Sequence, residues 1–512
     1  MRRIRRLTTL LAVAFLLSGD KGAAQDLASF EKRVTTKTLD NGLTVIVCER
    51  PVAPVFSFFT HVNAGAVQEE MGQTGLAHMF EHMAFKGTDT IGTKDYAKEK
   101  VALAKVEEAF LDYDAERRKP SGRDEKKVAE REKAWRDAMA EADRYVVSNE
   151  FGQIIERTGG VGMNAFTNWD ETGYFFSMPG NRLELWAYLE SGRFLHPVYR
   201  EFYKERDVVT EERRMRTDSS PTGRLVEQFL AAAFSAHPYR RPVVGWPSDL
   251  KTFTATDAAA FFKRYYVPSN MIVTVVGDVK PAEVMPVVEK YFGRLPKGPT
   301  PAEIRTEEPP QIAEKEIVLV DPSQPFYLEG YHKPSAHDPD DAVYDAIGDL
   351  MTSGRTSRLY RSLVRDKKVA AYAGGFPGFP GNKYPNLFIA YAVPLPGKTN
   401  AEVRDTIRAE LDRLKTEDLT DAELQMVKTR AKANLIRKLA DNQGLANELG
   451  SYQARYGDWR ELFRAVEKID KVTKADIRRI ANQIFVAKNR TVGRIETKAE
   501  TPAKEEKKEK KS

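Results

Sequence analysis

The chain has 512 residues, 41% of them hydrophobic and 30% charged, with a net charge of +6. That is the balance of a soluble globular protein of two or more domains with a sizeable core, and so small a charge over this length does not argue for nucleic acid as a partner. One cysteine, Cys48, excludes any intrachain disulfide.

The first segment reads as a secretory signal peptide over 1–24. Arg2, Arg3, Arg5 and Arg6 precede a short apolar run, Leu7 to Leu17, and Gly22-Ala23-Ala24 supplies small residues before Gln25. The run is too short to span a bilayer, and no cysteine follows it to carry a lipid anchor. The expected location is periplasmic or secreted, with no integral membrane segment after cleavage. Leu43–Val47 and Val55–Asn63 follow as strands, and Cys48 at the end of the first reads as a small buried hydrophobe. Residues 73–86 read as a helix. Residues 97–147 are dense in Glu, Lys, Arg and Ala around Lys119-Pro-Ser-Gly122, which predicts two long helices joined by a turn. Val106, Phe110, Trp135 and Met139 are their sparse apolar contacts, and the charges read as a solvated face. Strands are expected over 160–178, a helix over 182–195, and a helix from Phe202 to Met215. A Pro-rich linker at 296–310 separates residues 30–295 from 311–497. The second part shows strands at Glu316–Val320, Phe326–Tyr331 and Asn386–Val393 and a helix at Asp341–Thr352. Residues 498–512 form a low-complexity charged tail that reads as disordered.

The two parts carry a repeat at an offset of 219 residues. Thr254-Ala-Thr-Asp257 matches Thr473-Lys-Ala-Asp476. Asn270 and Asn489 each stand 13 residues after the Asp, and Val267 matches Val486. Each copy is a Thr-capped helix, a turn and a β-branched strand. Hairpins of strands with helices in blocks give the expected class: α+β, two homologous domains, each a mainly antiparallel sheet packed with helices, with a charged helical hairpin inserted in the first.

The chemistry concentrates at His78-Met79-Phe80-Glu81-His82. On a helix, residues four apart share a face, so two imidazole nitrogens can converge on one cation, with Glu81 at the edge of that face. The order is the reverse of the H-E-x-x-H zinc-protease helix. A catalytic zinc takes three protein ligands and keeps one position for water. The other five histidines form no comparable cluster, so the third ligand is expected to be a carboxylate on the helix from Phe202. Spacing alone leaves Glu205, Glu211 and Glu212 open.

Gly75-Leu-Ala-His-Met-Phe-Glu-His-Met-Ala-Phe-Lys-Gly-Thr88 resembles the signature of the pitrilysin/insulinase family of zinc metallopeptidases, which includes the mitochondrial processing peptidases. The resemblance extends over nearly the whole mature chain. Gly159-Gly-Val-Gly-Met-Asn-Ala-Phe-Thr167 resembles the family's active-site edge strand and Glu205-Arg-Asp-Val-Val-Thr-Glu-Glu212 its distal ligand helix. His237-Pro-Tyr239 and Tyr266-Val-Pro-Ser-Asn270 match further landmarks. The resemblance implies one zinc per chain, held by His78, His82 and Glu212, with Glu205 orienting a ligand and Glu81 as general base. It further implies that Asn164 and Ala165 contact the substrate backbone, and that Arg365 and Tyr372 bind substrate from the opposite side of a chamber. One departure stands out. The second His and the distal Glu are 130 residues apart, against fewer than about eighty in the family. The hairpin at 97–147 accounts for the excess and is expected to loop out without moving the ligands.

The resulting expectation is a zinc-dependent endopeptidase acting on peptides or small unfolded proteins. A chain of this size supplies half of such a chamber, so a homodimer, or a heterodimer with a paralogous subunit, is expected. The alternative is a catalytically silent partner or scaffold subunit.

Overall fold

A computed structural model of the chain describes residues 27–497. The signal-peptide and tail readings lie outside the described residues. Runs of Val, Ile and Phe become strands buried on both faces, notably β2 (Thr44–Glu49) and β3 (Val55–Val62). With β1 (Val34–Thr38), β4 (Val161–Thr167), β5 (Thr172–Pro179) and β6 (Met271–Gly277) they form one sheet, in the order β1-β2-β6-β3-β5-β4. The second sheet has the order β7-β11-β8-β10-β9, from β7 (Lys315–Asp321), β8 (Phe326–Lys333), β9 (Ala370–Phe379), β10 (Asn386–Pro394) and β11 (Arg490–Thr497). The pairings are antiparallel except β2 with β6 and β7 with β11. The architecture is α+β, two sheets each packed with helices.

The repeat is visible atom by atom. Thr254 and Thr473 each close a reciprocal capping box with the Asp three residues on. Asn270 Nδ2 donates to the carbonyls of Tyr265 (2.9 Å) and Asn63 (3.2 Å). Asn489 Nδ2 donates to those of Ile484 (3.0 Å) and His332 (2.8 Å). In each copy one amide therefore ties a helix C-terminus to the end of a neighbouring strand, which fixes the turn between them.

The halves exchange helices. Helix Pro221–Ala233 of the first packs on β7 and β11, and helix Asn442–Tyr456 of the second packs on β3 and β6. Phe229 and Leu230 bury against Leu328, Leu387 and Ile389; Leu445 and Leu449 bury against Ile46, Cys48 and Phe59. Cys48 is fully enclosed there, and burial pushes its thiol up to about 11, so it stays an unreactive apolar side chain.

The inserted hairpin comprises helices Tyr96–Arg117 and Glu125–Asp143, joined across 118–124. It does not simply project into solvent. Phe110 and Trp135, with ring centres 5.2 Å apart, enclose Tyr203 and the guanidinium of Arg206, which lies 4.5 Å from the Phe110 ring. A stripe of few apolar residues thereby docks both helices on the helix Phe202–Arg213, which carries Glu205 and Glu212.

Candidate metal centre

The histidines sit on a short helix, Leu76–Met83, shorter than the expected 73–86. Leu76, Ala77, Met79, Phe80 and Met83 anchor it in the core and leave His82 and Glu81 partly exposed. It starts at Gly75 because that residue has φ +97°, and because a Cβ there would lie 2.8 Å from the Val244 carbonyl oxygen. With no local side-chain cap, the first amides are satisfied from a distance. Gly75 N and Ala77 N donate to the two carboxylate oxygens of buried Glu69 (2.9 and 2.8 Å), and Thr74 Oγ1 donates to Asp249 (2.7 Å). A carboxylate at a helix N-terminus also opposes the positive end of the dipole. Glu69→Ala is expected to destabilise the chain by about 1–3 kcal/mol, since it strands two buried N–H groups; calorimetry should show a lowered unfolding midpoint, with Glu69→Gln milder.

Helix Phe202–Arg213 lies across the His helix and delivers its carboxylates to it. Glu212 Oε2 is 3.6 Å from His78 Nε2 and 3.3 Å from His82 Nε2. One ligand atom from each of the three residues lies within 4.8 Å of the others. Among the described residues they are the one such group of three. Glu81 Oε2 stands 3.9 Å from His78 Nε2 and receives a hydrogen bond from Thr167 at the end of β4. On the far side of His82, Nδ1 faces Glu205 Oε2 at 3.4 Å, which favours a proton on Nδ1; Nε2 faces Glu212 and is the atom that would turn to a metal on losing its proton. Lys86 Nζ holds Glu205 (2.5 Å) and Glu201 (3.1 Å), and Arg216 holds Glu212 Oε1 (2.5 Å).

The electrostatics are polarised. Burial lowers His78 to about 4, so it stays neutral and able to donate a lone pair. Burial also opposes charge on His82, but Glu205 and Glu212 outweigh it and raise that ring to about 9. The hydrogen bond from His82 holds Glu212 below the ordinary carboxylate range against burial. Burial raises Glu81, against the Thr167 hydrogen bond. Two imidazoles and a carboxylate are the donor set of a catalytic zinc, and tetrahedral bonds of ~2.0–2.2 Å need donors roughly 3.3–3.6 Å apart. The residues present therefore fit a zinc ion: both histidine-to-Glu212 separations match, the third lies within 4.8 Å, and a metal cation there could replace the positive charge that His82 carries between Glu205 and Glu212.

The other expected residues divide into two sets. Asn164 and Ala165 lie on β4, which among the described residues pairs only with β5 and so has an open edge. Asn164 is exposed; Ala165 is buried, and its amide donates to Asn164 Oδ1 (2.9 Å). Arg365 and Tyr372 lie elsewhere, at the second sheet. Arg365 is exposed and paired with Asp366; Tyr372, on edge strand β9, stacks on Tyr391 with ring centres 5.8 Å apart. Among the described residues no hydrogen bond, ion pair or ring contact joins either to the histidine cluster. Glu211, the remaining candidate carboxylate, is exposed and paired with Arg214. Sequence reasoning passed over Glu69, Lys86, Thr167 and Arg216. Thr167 and Lys86 had a signal, since both lie within motifs already singled out; Glu69 and Arg216 had none.

Residues 44–115 match the model described as insulinase, peptidase family M16, and residues 252–431 match that of the peptidase M16 inactive domain. The chain belongs to the insulinase family. It is similar to a zinc protease named PqqE of Helicobacter pylori, 29% identical over 489 residues, covering 93% of this chain and 96% of that one. It is also similar to a probable mitochondrial-processing peptidase subunit beta of Arabidopsis thaliana, at 23% identity, covering 92% and 79%. Among solved structures it is similar to a protease from Helicobacter pylori, with a TM-score of 0.75, 26% identity and coverage of 91% and 99%. These insulinase-family relatives share a fold that spans both sheets, not the His helix alone.

Proposed function

We propose that the chain is a zinc-dependent endopeptidase that hydrolyses peptides or small unfolded proteins. The observation that carries this reading is the convergence of His78 Nε2, His82 Nε2 and Glu212 Oε2, with the Glu81 carboxylate beside them. Those three residues would hold one zinc per chain, and Glu205 would keep His82 in the tautomer that coordinates. A zinc ion bound there supplies Lewis-acid chemistry, activating a water near neutral pH and polarising a peptide carbonyl. Glu81 then takes the attacking water's proton and passes it to the leaving amine. Its burial-raised affinity for a proton suits both halves of that task. A substrate can add as a further strand along the open edge of β4, where Asn164 and Ala165 lie, its scissile bond drawn towards Thr167 and Glu81.

Arg365 and Tyr372 stand apart from the cluster within one chain, which supports a role across an interface. In a homodimer, or with a paralogous subunit, they would face the cluster of the opposite chain and stabilise a developing oxyanion. The N-terminal Arg-rich and apolar pattern supports export to the periplasm or beyond; no described helix is long and apolar enough to cross a membrane.

Metal analysis of purified Glu212→Ala is expected to show zinc retention weakened at least about tenfold against the unaltered chain. Full occupancy in that variant would remove Glu212 from the ligand set. A chain that holds zinc but cleaves no member of a peptide library, with or without chelator, would return the silent-subunit reading.

A further inference from the structure

The turn between β4 and β5, Asn168-Trp-Asp-Glu171, closes on itself. Asn168 Oδ1 accepts from the amides of Asp170 (2.7 Å) and Glu171 (3.0 Å), a usual role of Asn in a turn, and Asn168 N donates to the Glu171 carbonyl (3.0 Å). The Asp170 carboxylate takes no part in this closure. Among the described residues, all the hydrogen bonds of its side chain leave the turn. Oδ1 accepts from Tyr239 Oη (2.7 Å), and Oδ2 accepts from the amides of Asn382 (2.9 Å) and Lys383 (3.1 Å) in the second half. Backbone amides on a carboxylate are among the stronger hydrogen bonds. Tyr384 N donates to the same Tyr239 Oη (3.2 Å), and Lys383 Nζ donates to Asn63 Oδ1, just past β3 (2.9 Å). Gly381 leaves the space that the carboxylate fills; a Cβ there would strike Asp170 Oδ2 and Tyr239 Oη.

The turn passes this hold to the metal centre by two short routes. Thr167, the residue before it, donates to Glu81. The carbonyls of Asn168 and Trp169 accept from Ala66 N (3.1 Å) and Val67 N (3.0 Å). Two residues further on stands Glu69, whose carboxylate caps the His helix at Gly75 and Ala77. Trp169 Nε1 donates to the carbonyl of Arg241 (2.8 Å), whose guanidinium donates to the Glu69 carbonyl. At Gly65 a Cβ would strike the Asn168 carbonyl oxygen, so that strand of chain and the turn lie in direct contact. The turn is thus bonded to the second half on one side, and to Glu81 and the cap of the His helix on the other. The second half has no group of metal-binding side chains among the described residues, yet it grips the turn on which both depend.

We propose, on the zinc-peptidase reading of that site, that Asp170 is a positioning residue through which the second half sets the placement of Glu81 and the His helix. A misplacement of about 1 Å that starts far from the chemistry can cost ~10²-fold in rate, so a hold of this kind has a measurable effect.

Two measurements on the purified full chain test this. The first, amide hydrogen–deuterium exchange read by mass spectrometry, needs no activity. Asp170→Ala and Gly381→Ala are each expected to speed exchange about tenfold in segments 65–83 and 161–172, with helix Asp341–Thr352 unchanged. Gly381→Ala serves alone if Asp170→Ala fails to fold. Asp170→Asn keeps an oxygen for the two amides and should stay within about threefold of the unaltered chain. Because the new Cβ at 381 meets the Asp170 carboxylate, the double variant Gly381→Ala/Asp170→Ala should be no worse than Asp170→Ala. The second is steady-state cleavage of a quenched-fluorescent peptide at saturating zinc. There kcat is expected to fall at least about tenfold in Asp170→Ala or Gly381→Ala, with KM within about twofold, and to recover in Asp170→Asn. Exchange quickened only at 379–384, or equally throughout the chain, would overturn the proposal. So would additive effects in the double variant, or an unchanged kcat in a variant whose turn exchanges faster. A chain that cleaves no peptide would instead remove the zinc-peptidase reading, and the exchange result would still decide whether the second half holds the His helix.

Discussion

Glu81→Gln is expected to lower peptide cleavage by about 10²–10⁴-fold, the usual worth of a positioned acid–base group, while zinc content stays at that of the unaltered chain. The substitution is nearly isosteric. Glutamine keeps an oxygen that can accept from Thr167, and it leaves His78, His82 and Glu212 in place. What it loses is the ability to take a proton. The partly buried carboxyl stands 3.9 Å from His78 Nε2. Glu212, the acid whose charge acts on Glu81, is engaged by both histidines and Arg216. Two readouts are needed: turnover of a quenched-fluorescent peptide, and metal content by elemental analysis. Near wild-type turnover with full zinc would remove Glu81 from the mechanism. Loss of both turnover and zinc would make it a structural support of the cluster instead. Thr167→Val is a companion with a smaller effect, because it removes one hydrogen bond to Glu81 and leaves its charge.

What could be read from the sequence follows the range of the interactions. The pairing of His78 with His82 and the position of Glu81 are set by one turn of helix, so spacing alone puts them on one face. The capping boxes at Thr254 and Thr473 are equally local, which is why the repeat was detectable. Glu212 is different. Nothing in its own segment separates it from Glu205 and Glu211, and only the crossing of two helices turns it towards the histidines. The second half shows the same crossing without the chemistry. There Arg430, on helix Asp421–Lys438, pairs with Asp349 (3.3 Å) on the helix that follows β8. An ion pair thus joins the two helices there, with no group of metal-binding side chains among the described residues.

The misjudged features are tertiary. The His helix was expected to run from 73; the close approach of Val244 and Gly245 to Gly75 delays its start. The hairpin was expected to loop out as the excess between His82 and Glu212, and its apolar residues are sparse. Those few residues become a stripe only when the two helices lie side by side, and Phe110, Trp135, Tyr203 and Arg206 then make one buried cluster. Glu69 caps the His helix across seven residues of irregular chain, beyond any local capping rule.

The hairpin has a second anchor, and the largest stability effect is expected there. Arg200 is 1% exposed and Glu99, on the first hairpin helix, is 0% exposed. The guanidinium grips both carboxylate oxygens, at 2.8 and 3.0 Å, and donates to the carbonyls of Lys86 (2.5 Å), Thr88 (2.7 Å) and Ile91 (2.9 Å). The loop Lys86–Gly92 wraps around it, with Gly92 at φ +86° and no room for a Cβ beside Arg200 Nη1. Arg200→Met would strand a buried carboxylate and three carbonyls, and is expected to cost about 3–5 kcal/mol, read as a large fall in the calorimetric unfolding midpoint. The Arg200→Met/Glu99→Met double variant should recover part of that loss, because the uncompensated charge goes too. Additive losses would mean that the two side chains do not act as a pair. The loop begins at Lys86, which holds Glu205 against His82. A slackened loop is therefore expected to release zinc faster to a chelator, with His78, His82 and Glu212 all unchanged. Stability of the hairpin anchor and retention of the metal would then fall together in Arg200→Met and recover together in the double variant.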